Sequence, residues 1–181
     1  MAKIDTELLK YPIGKFEKPA IISESDIKNW IADIGSFPAQ IRLEIQDLYD
    51  PQLDTPYRLK GWTIRQVIHH CADSHMNSFI RFKLALTEEN PTIKPYWEDR
   101  WAELADGKTM PVEPSLRILE SLHARWIVLL KSLSENDFAK TFVHPEHGKV
   151  FTLAENTGIY AWHCKHHLAH ITELKKREKW N

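Results

Sequence analysis

The stretch Tyr160-Ala161-Trp162-His163-Cys164-Lys165-His166-His167-Leu168-Ala169-His170-Ile171 decides how this chain is read. Four of the ten histidines fall within it. An α-helix turns about 100° per residue, so positions three and four apart share a face. His163, His166, His167 and His170 therefore form one stripe, roughly a quarter-turn wide. Leu153, Ala161, Cys164, Leu168 and Ile171 mark an apolar face beside it. The segment reads as an inward-facing amphipathic helix that carries imidazoles at the border of a core. Two histidines at i, i+4 can place ring nitrogens on one metal ion, and both His163/His167 and His166/His170 qualify.

Upstream, Thr152-x-x-Glu155 is a capping box that opens this helix, which runs to about Lys176. The basic residues Lys175 to Lys179 suit the negative end of its dipole and read as a solvated face. Thr63-x-x-Gln66 is a second box, opening a helix from Ile64 to about Glu88. There Ile64, Val67, Ile68, Cys71, Phe79, Phe82 and Leu86 keep a helical period, and His69, His70 and His75 are interspersed. His69 and His70 point about 100° apart, so only one of them can join a site shared with the last helix. Pro114 sits in the first turn of a third helix, to about Leu133, with Leu116, Leu119, Leu122, Trp126, Leu129 and Leu130 inward.

The first helix is less regular. Ser23 or Ser25 caps a segment from Asp26 to about Ile34, and Gly35-Ser36 interrupts it before Pro38 restarts a turn. The expectation is one long broken helix or two short ones. Met1 to Ile22 reads as an extended arm, with Tyr11, Ile13 and Phe16 alternating. Pro51, Pro56 and Gly61 exclude regular helix from 51–61. Residues 92–113 form a long aromatic connection with one short helix near Tyr96 to Leu104, of the kind that often carries function or meets a partner. Ser134-x-x-Asp137 starts a short turn. Thr141-Phe142-Val143 and Lys149-Val150-Phe151 flank His144 to Gly148 as a small hairpin. The fold expected is all-α: a single-domain four-helix bundle over 1–181, with a non-trivial topology imposed by the long connection.

Composition narrows the function. At 181 residues, 43% of them apolar, the chain suits one domain with a sizeable core. A net charge of −1 without a strongly basic face argues against nucleic acid. No apolar run approaches a signal peptide or a membrane span. Cys71 and Cys164 lie on apolar helix faces without CxxC spacing, which excludes a finger-type zinc and suits inert thiols in a reducing cytoplasm. A single histidine on a helix border is ordinarily a satisfied core group. Four on one face, matched by His69 and His70 on another capped helix, favour a metal site with an open position. A nitrogen-rich, mononuclear site suits zinc, nickel, iron or cobalt alike. The Glu-x-x-His spacing of di-iron bundles is absent from the last helix.

Four stretches carry a family resemblance: Tyr11 to Gly14, Gly61 to His70 (GWTIRQVIHH), Ala72 to Glu88 (ADSHMNSFIRFKLALTE), and Tyr160 to His163 with His166-His167. Together they resemble the YfiT branch of the DinB-like superfamily, over nearly the whole chain. The resemblance implies a four-helix bundle, cytoplasmic and homodimeric, that binds one divalent metal through three histidines and acts as a metal-dependent hydrolase. Carried onto this sequence, the implied ligands are His70, His163 and His167. His170 falls where many relatives have Gln, implying a role behind the ligands. Zinc is the first expectation and nickel the substitute, with a metal-bound water as nucleophile. Asp73, Asn77 and Tyr160 are candidates for orienting ligands or substrate, and the general base is not identified. Some relatives are S-transferases that use the thiol bacillithiol. On that alternative the metal binds a low-molecular-weight thiol, and Arg81 and Lys83 help hold its acidic groups. A third reading is a non-catalytic metal-binding stress protein with 92–113 as its partner surface.

Overall fold

A computed structural model describes residues 6–146 and 148–180. The first five residues of the expected arm, His147 of the expected hairpin loop and Asn181 lie outside them. Four long helices dominate: α2 (Glu24–Ile45), α4 (Ile64–Thr87), α7 (Glu113–Ser132) and α9 (Leu153–Glu178). Short elements join them: α1 (Thr6–Lys10), α3 (Asp50–Leu53), α5 (Glu98–Trp101), α6 (Ala105–Thr109), α8 (Glu135–Phe138) and the strands β1 (Thr141–His144) and β2 (Lys149–Thr152). The strands pair antiparallel, Thr141 opposite Thr152 and His144 opposite Lys149.

Caps set the starts. Thr63 accepts from the backbone N–H of Gln66, whose side chain accepts from the N–H of Thr63 in return. Ser23 and Asp26 do the same for α2. At α9 only half the expected box forms: Thr152 accepts from the N–H of Glu155, while the Glu155 carboxylate turns to Lys149 (2.7 Å) and Lys18 (3.5 Å).

Three other expectations need correcting. First, α2 does not break at Gly35-Ser36 but continues through Pro38. A proline inside a helix gives no N–H to the carbonyl four residues back, here that of Ile34. His123 from α7 supplies a replacement, its Nδ1 lying 2.7 Å from the Ile34 oxygen. Second, the arm and the 51–61 loop contain one short helix each, α1 and α3, the latter with proline in its first turn where the lost N–H costs nothing. Third, the long connection holds two short helices rather than one over 96–104.

Packing follows the apolar stripes. Helix α2 packs on α7 and α9, and α4 packs on the same two, so α2 and α4 stand on a diagonal of the bundle. Two helices consecutive among the four long ones are thus not neighbours, and residues 46–63 span that diagonal. Trp126 of α7 is fully buried at the centre, with Phe82 and Tyr160 at ring distances of 5.5 Å and His123 at 5.8 Å. Deleting so large a core side chain costs the lost burial plus the cavity left behind. We expect Trp126→Ala to lower stability by about 3–5 kcal/mol in urea unfolding.

Candidate metal centre

Helices α4 and α9 bring His70, His163 and His167 together. One ring nitrogen from each lies within 4.8 Å of the others, and the Nε2 atoms of His70 and His163 are 3.2 Å apart. Nitrogens held about 2.1 Å from one tetrahedral ion are separated by about 3.4 Å, so this convergence fits a three-imidazole site. The donor set fits as well, because a metal needs neutral imidazoles. Burial pushes His70 down to about 3, with the neighbouring His166 adding to the effect. Burial likewise holds His163 and His167 well below the ordinary imidazole range, with their histidine neighbours contributing.

His166, His167 and His170 make a second group with convergent nitrogens. Both nitrogens of His170 are already engaged. Its Nε2–H donates to the carbonyl of Lys10 (3.1 Å), leaving Nδ1 to accept from the Nδ1–H of His167 at 3.3 Å. That arrangement frees the Nε2 lone pair of His167. Tyr57 stacks on the His170 ring at 3.9 Å. His166 stacks on Trp162 at 4.4 Å, and its buried Nδ1 has no hydrogen-bond partner among the described residues.

Of the two adjacent histidines on α4, His70 faces the cluster and His69 faces away, bonded to Ser115 (2.7 Å) and to the Met110 carbonyl (3.1 Å). Two histidines without an expected role are also drawn in. His75 lies 3.0 Å from His163 and 2.7 Å from His123. His123 falls on the inward stripe of Leu119, Trp126 and Leu130, so its burial was readable, but its partner was not.

The three imidazoles sit in the wall of a cavity of about 520 Å³, with Trp62, Tyr96, Tyr160 and Arg81 also lining it. Trp62 packs on His70 at 4.6 Å. Tyr160 donates its hydroxyl hydrogen to the Ser74 carbonyl and can accept from the Ser74 hydroxyl, both at 3.1 Å. Asp73 and Asn77 are absent from the cavity wall: the Asn77 amide donates to the backbone carbonyl of Asp73. Burial raises the Asp73 carboxyl to about 6, and Asp106 adds to it. Among the described residues the buried Arg81 Nε has no hydrogen-bond partner. Lys83 is exposed over the Phe79 ring and does not line the cavity. Both cysteines are free and buried, with burial pushing their thiols up.

Known proteins resemble this chain over most of its length. The sequence pattern of the DinB superfamily matches residues 38–171. A Bacillus cereus (strain 03BB102) protein named "Putative metal-dependent hydrolase" is 58% identical over 172 residues, covering 95% of this chain and 98% of its own. A Bacillus thuringiensis subsp. konkukian (strain 97-27) protein of the same description matches to the same extent. The solved structure of YfiT from Bacillus subtilis, described as "a probable metal-dependent hydrolase with an unusual four-helix bundle topology", superposes with a TM-score of 0.94 at 48% identity. It covers 96% of this chain and 99% of that one.

The buried imidazoles have a consequence for acid stability. Burial sets His123 at about 4 in the fold, against about 6.5 in an unfolded chain. Between those values the unfolded chain binds the extra proton, so stability falls as pH drops through this window. At pH 5 His123 alone accounts for about 2 kcal/mol, or roughly 4–8 °C in Tm for a chain of this size. We expect thermal melts of the metal-free protein to show at least that loss between pH 7.5 and 5. A flat Tm would contradict the neutral, buried assignment.

Proposed function

This chain belongs to the DinB superfamily, and we propose that it is a metal-dependent hydrolase whose divalent ion is held by His70, His163 and His167. The observation that carries this reading is the convergence of three neutral imidazole nitrogens in the wall of a large cavity. Three protein ligands leave a coordination position for catalysis, and nitrogen ligands suit zinc first, with nickel as a substitute. When bound, such an ion supplies Lewis-acid chemistry, polarising a substrate oxygen and making water acidic enough to act as a nucleophile near neutral pH.

The chain's own residues do the rest. Trp62 covers one side of His70 and limits water there. Tyr160 and Ser74 hold each other across α4 and α9, 3.1 Å apart, which fixes the cavity wall next to His163. Arg81 lines the cavity, where its guanidinium would meet an acidic group on the substrate.

Arg81 also supports a second reading, transfer of a low-molecular-weight acidic thiol such as bacillithiol to an electrophile. A thiol is favoured as its thiolate beside a divalent ion, and a carboxylate on the same molecule would meet Arg81.

The metal site is tested by elemental analysis. Wild type should carry about one zinc or nickel per chain, and His163→Ala should lose most of it. Unchanged metal content in the variant would sink the site. Metal-loaded protein is then assayed on ester and amide panels, and separately with bacillithiol and monochlorobimane. Hydrolysis without thiol selects the hydrolase. Conjugation that disappears with the metal selects the transferase, and inactivity in both leaves a metal-binding protein without catalysis.

A further inference from the structure

A line of hydrogen bonds runs from the backbone of α2 to the imidazole of His163. His123 Nδ1 lies 2.7 Å from the Ile34 oxygen, and His123 Nε2 lies 2.7 Å from His75 Nδ1. His75 Nε2 lies 3.0 Å from His163 Nδ1. His75 and His123 are buried, and Phe37 and Trp126 pack on both rings.

Proton counting settles the direction of this line. A carbonyl oxygen only accepts, so His123 must place its hydrogen on Nδ1. A neutral imidazole has one N–H, so His123 Nε2 is an acceptor and His75 must donate to it from Nδ1. His75 Nε2 is then an acceptor, and His163 must donate to it from Nδ1. The three hydrogens are used up, and His163 Nε2 is left with its lone pair. Its nearest polar neighbour, His70 Nε2 at 3.2 Å, can donate to it, and so can the Ser74 hydroxyl at 3.5 Å when that hydrogen is not given to Tyr160.

The anchor has its own origin. Pro38 has no N–H for the carbonyl of Ile34, so that oxygen lacks its ordinary partner from the helix. A buried carbonyl without a partner is costly, and His123 satisfies it.

We propose that His75 and His123 are positioning residues: a two-imidazole relay, anchored on the Ile34 carbonyl that Pro38 frees, that locks His163 into its Nδ1–H tautomer with Nε2 directed to the metal. The proposal rests on the metal-site reading above for its purpose, but the tautomer order is a property of the metal-free chain. Metal-ligating histidines commonly donate their other N–H to a carboxylate, carbonyl or water, which fixes ring and tautomer together. Here two histidines carry that function across the bundle.

The test is long-range ¹H–¹⁵N spectroscopy on the metal-free full chain labelled at histidine, with zinc affinity measured by competition with a chelator. In wild type, His123, His75 and His163 should all be protonated at Nδ1. A His163 protonated at Nε2 overturns the relay. In His123→Phe, His75 loses its acceptor, so His163 should populate the Nε2–H form and zinc affinity should drop about 10–100-fold. His123→Gln, whose amide can donate to Ile34 and accept from His75, should restore most of both. A folded His123→Phe with unchanged tautomer and affinity overturns the proposal. Should that variant not fold, the wild-type spectrum still decides. A wild type that binds no zinc sinks the metal-site reading instead, and the tautomers then judge the relay alone.

Discussion

The Ile34 carbonyl, freed by Pro38, constrains much of the bundle. It belongs to α2; the imidazole that satisfies it comes from α7, the next from α4, and the last from α9. One line of buried hydrogen bonds thus touches all four long helices. A buried network rigidifies a core only when every member is satisfied, and an unmatched member costs about 1–3 kcal/mol. The helices therefore cannot rotate or slide independently without breaking a link. Because α2 packs on α7, α7 on α4 and α4 on α9, the line passes from each helix to its neighbour around the bundle.

The other side of the site is fixed by the N-terminal segment. His170 donates to the Lys10 carbonyl and Trp162 donates to the Gly14 carbonyl at 3.1 Å each, so residues 10–14 lie along α9. The same proton counting applies there: a backbone carbonyl orders His170, which orders His167. On α4, Arg65 binds Asp54 (2.6 Å), Asp50 (2.7 Å) and the Met110 carbonyl, and Gln66 binds the Ala102 carbonyl at 2.9 Å. The loops on both sides of α4 are thereby tied to its first turn, the turn before His70. These ion pairs have exposed carboxylates, so their contribution lies in orientation more than in stability.

This division explains what the sequence made legible. Ser23, Thr63 and Thr152 announce helix starts through local chemistry, and the apolar stripes of α4, α7 and α9 announce which faces turn inward. Those signals act within a few residues and survive in the fold. Pro38 was misleading because its compensation comes from His123, 85 positions away, and no local pattern encodes such a pairing. The roles of His75 and His123 are hidden for a related reason: one histidine on an apolar stripe looks like any satisfied core group until its partner is known. Glu155 shows the converse, a correct local motif in which Lys149 and Lys18 outcompete the second bond. The elements α1 and α3 are too short for periodicity to register.

The neutral ends of both histidine lines bear on what the cavity can accept. A carboxylate behind a ligating imidazole makes that ligand more basic and offsets part of an ion's charge. Here the lines from His163 and His167 end on the carbonyls of Ile34 and Lys10, which carry no charge. On the metal-site reading, three neutral imidazoles would leave a divalent ion's charge uncompensated by its ligands. Arg81, with a buried nitrogen in the same cavity wall, adds a cation rather than an offset. In a partly desolvated cavity such charge acts over short distances with little screening. On that reading an anionic group is favoured next to the imidazoles, whether a thiolate or a carboxylate on the substrate, while Glu98, Asp99 and Glu146 in the same wall oppose anions farther out. That preference is shared by the hydrolase and the transferase readings.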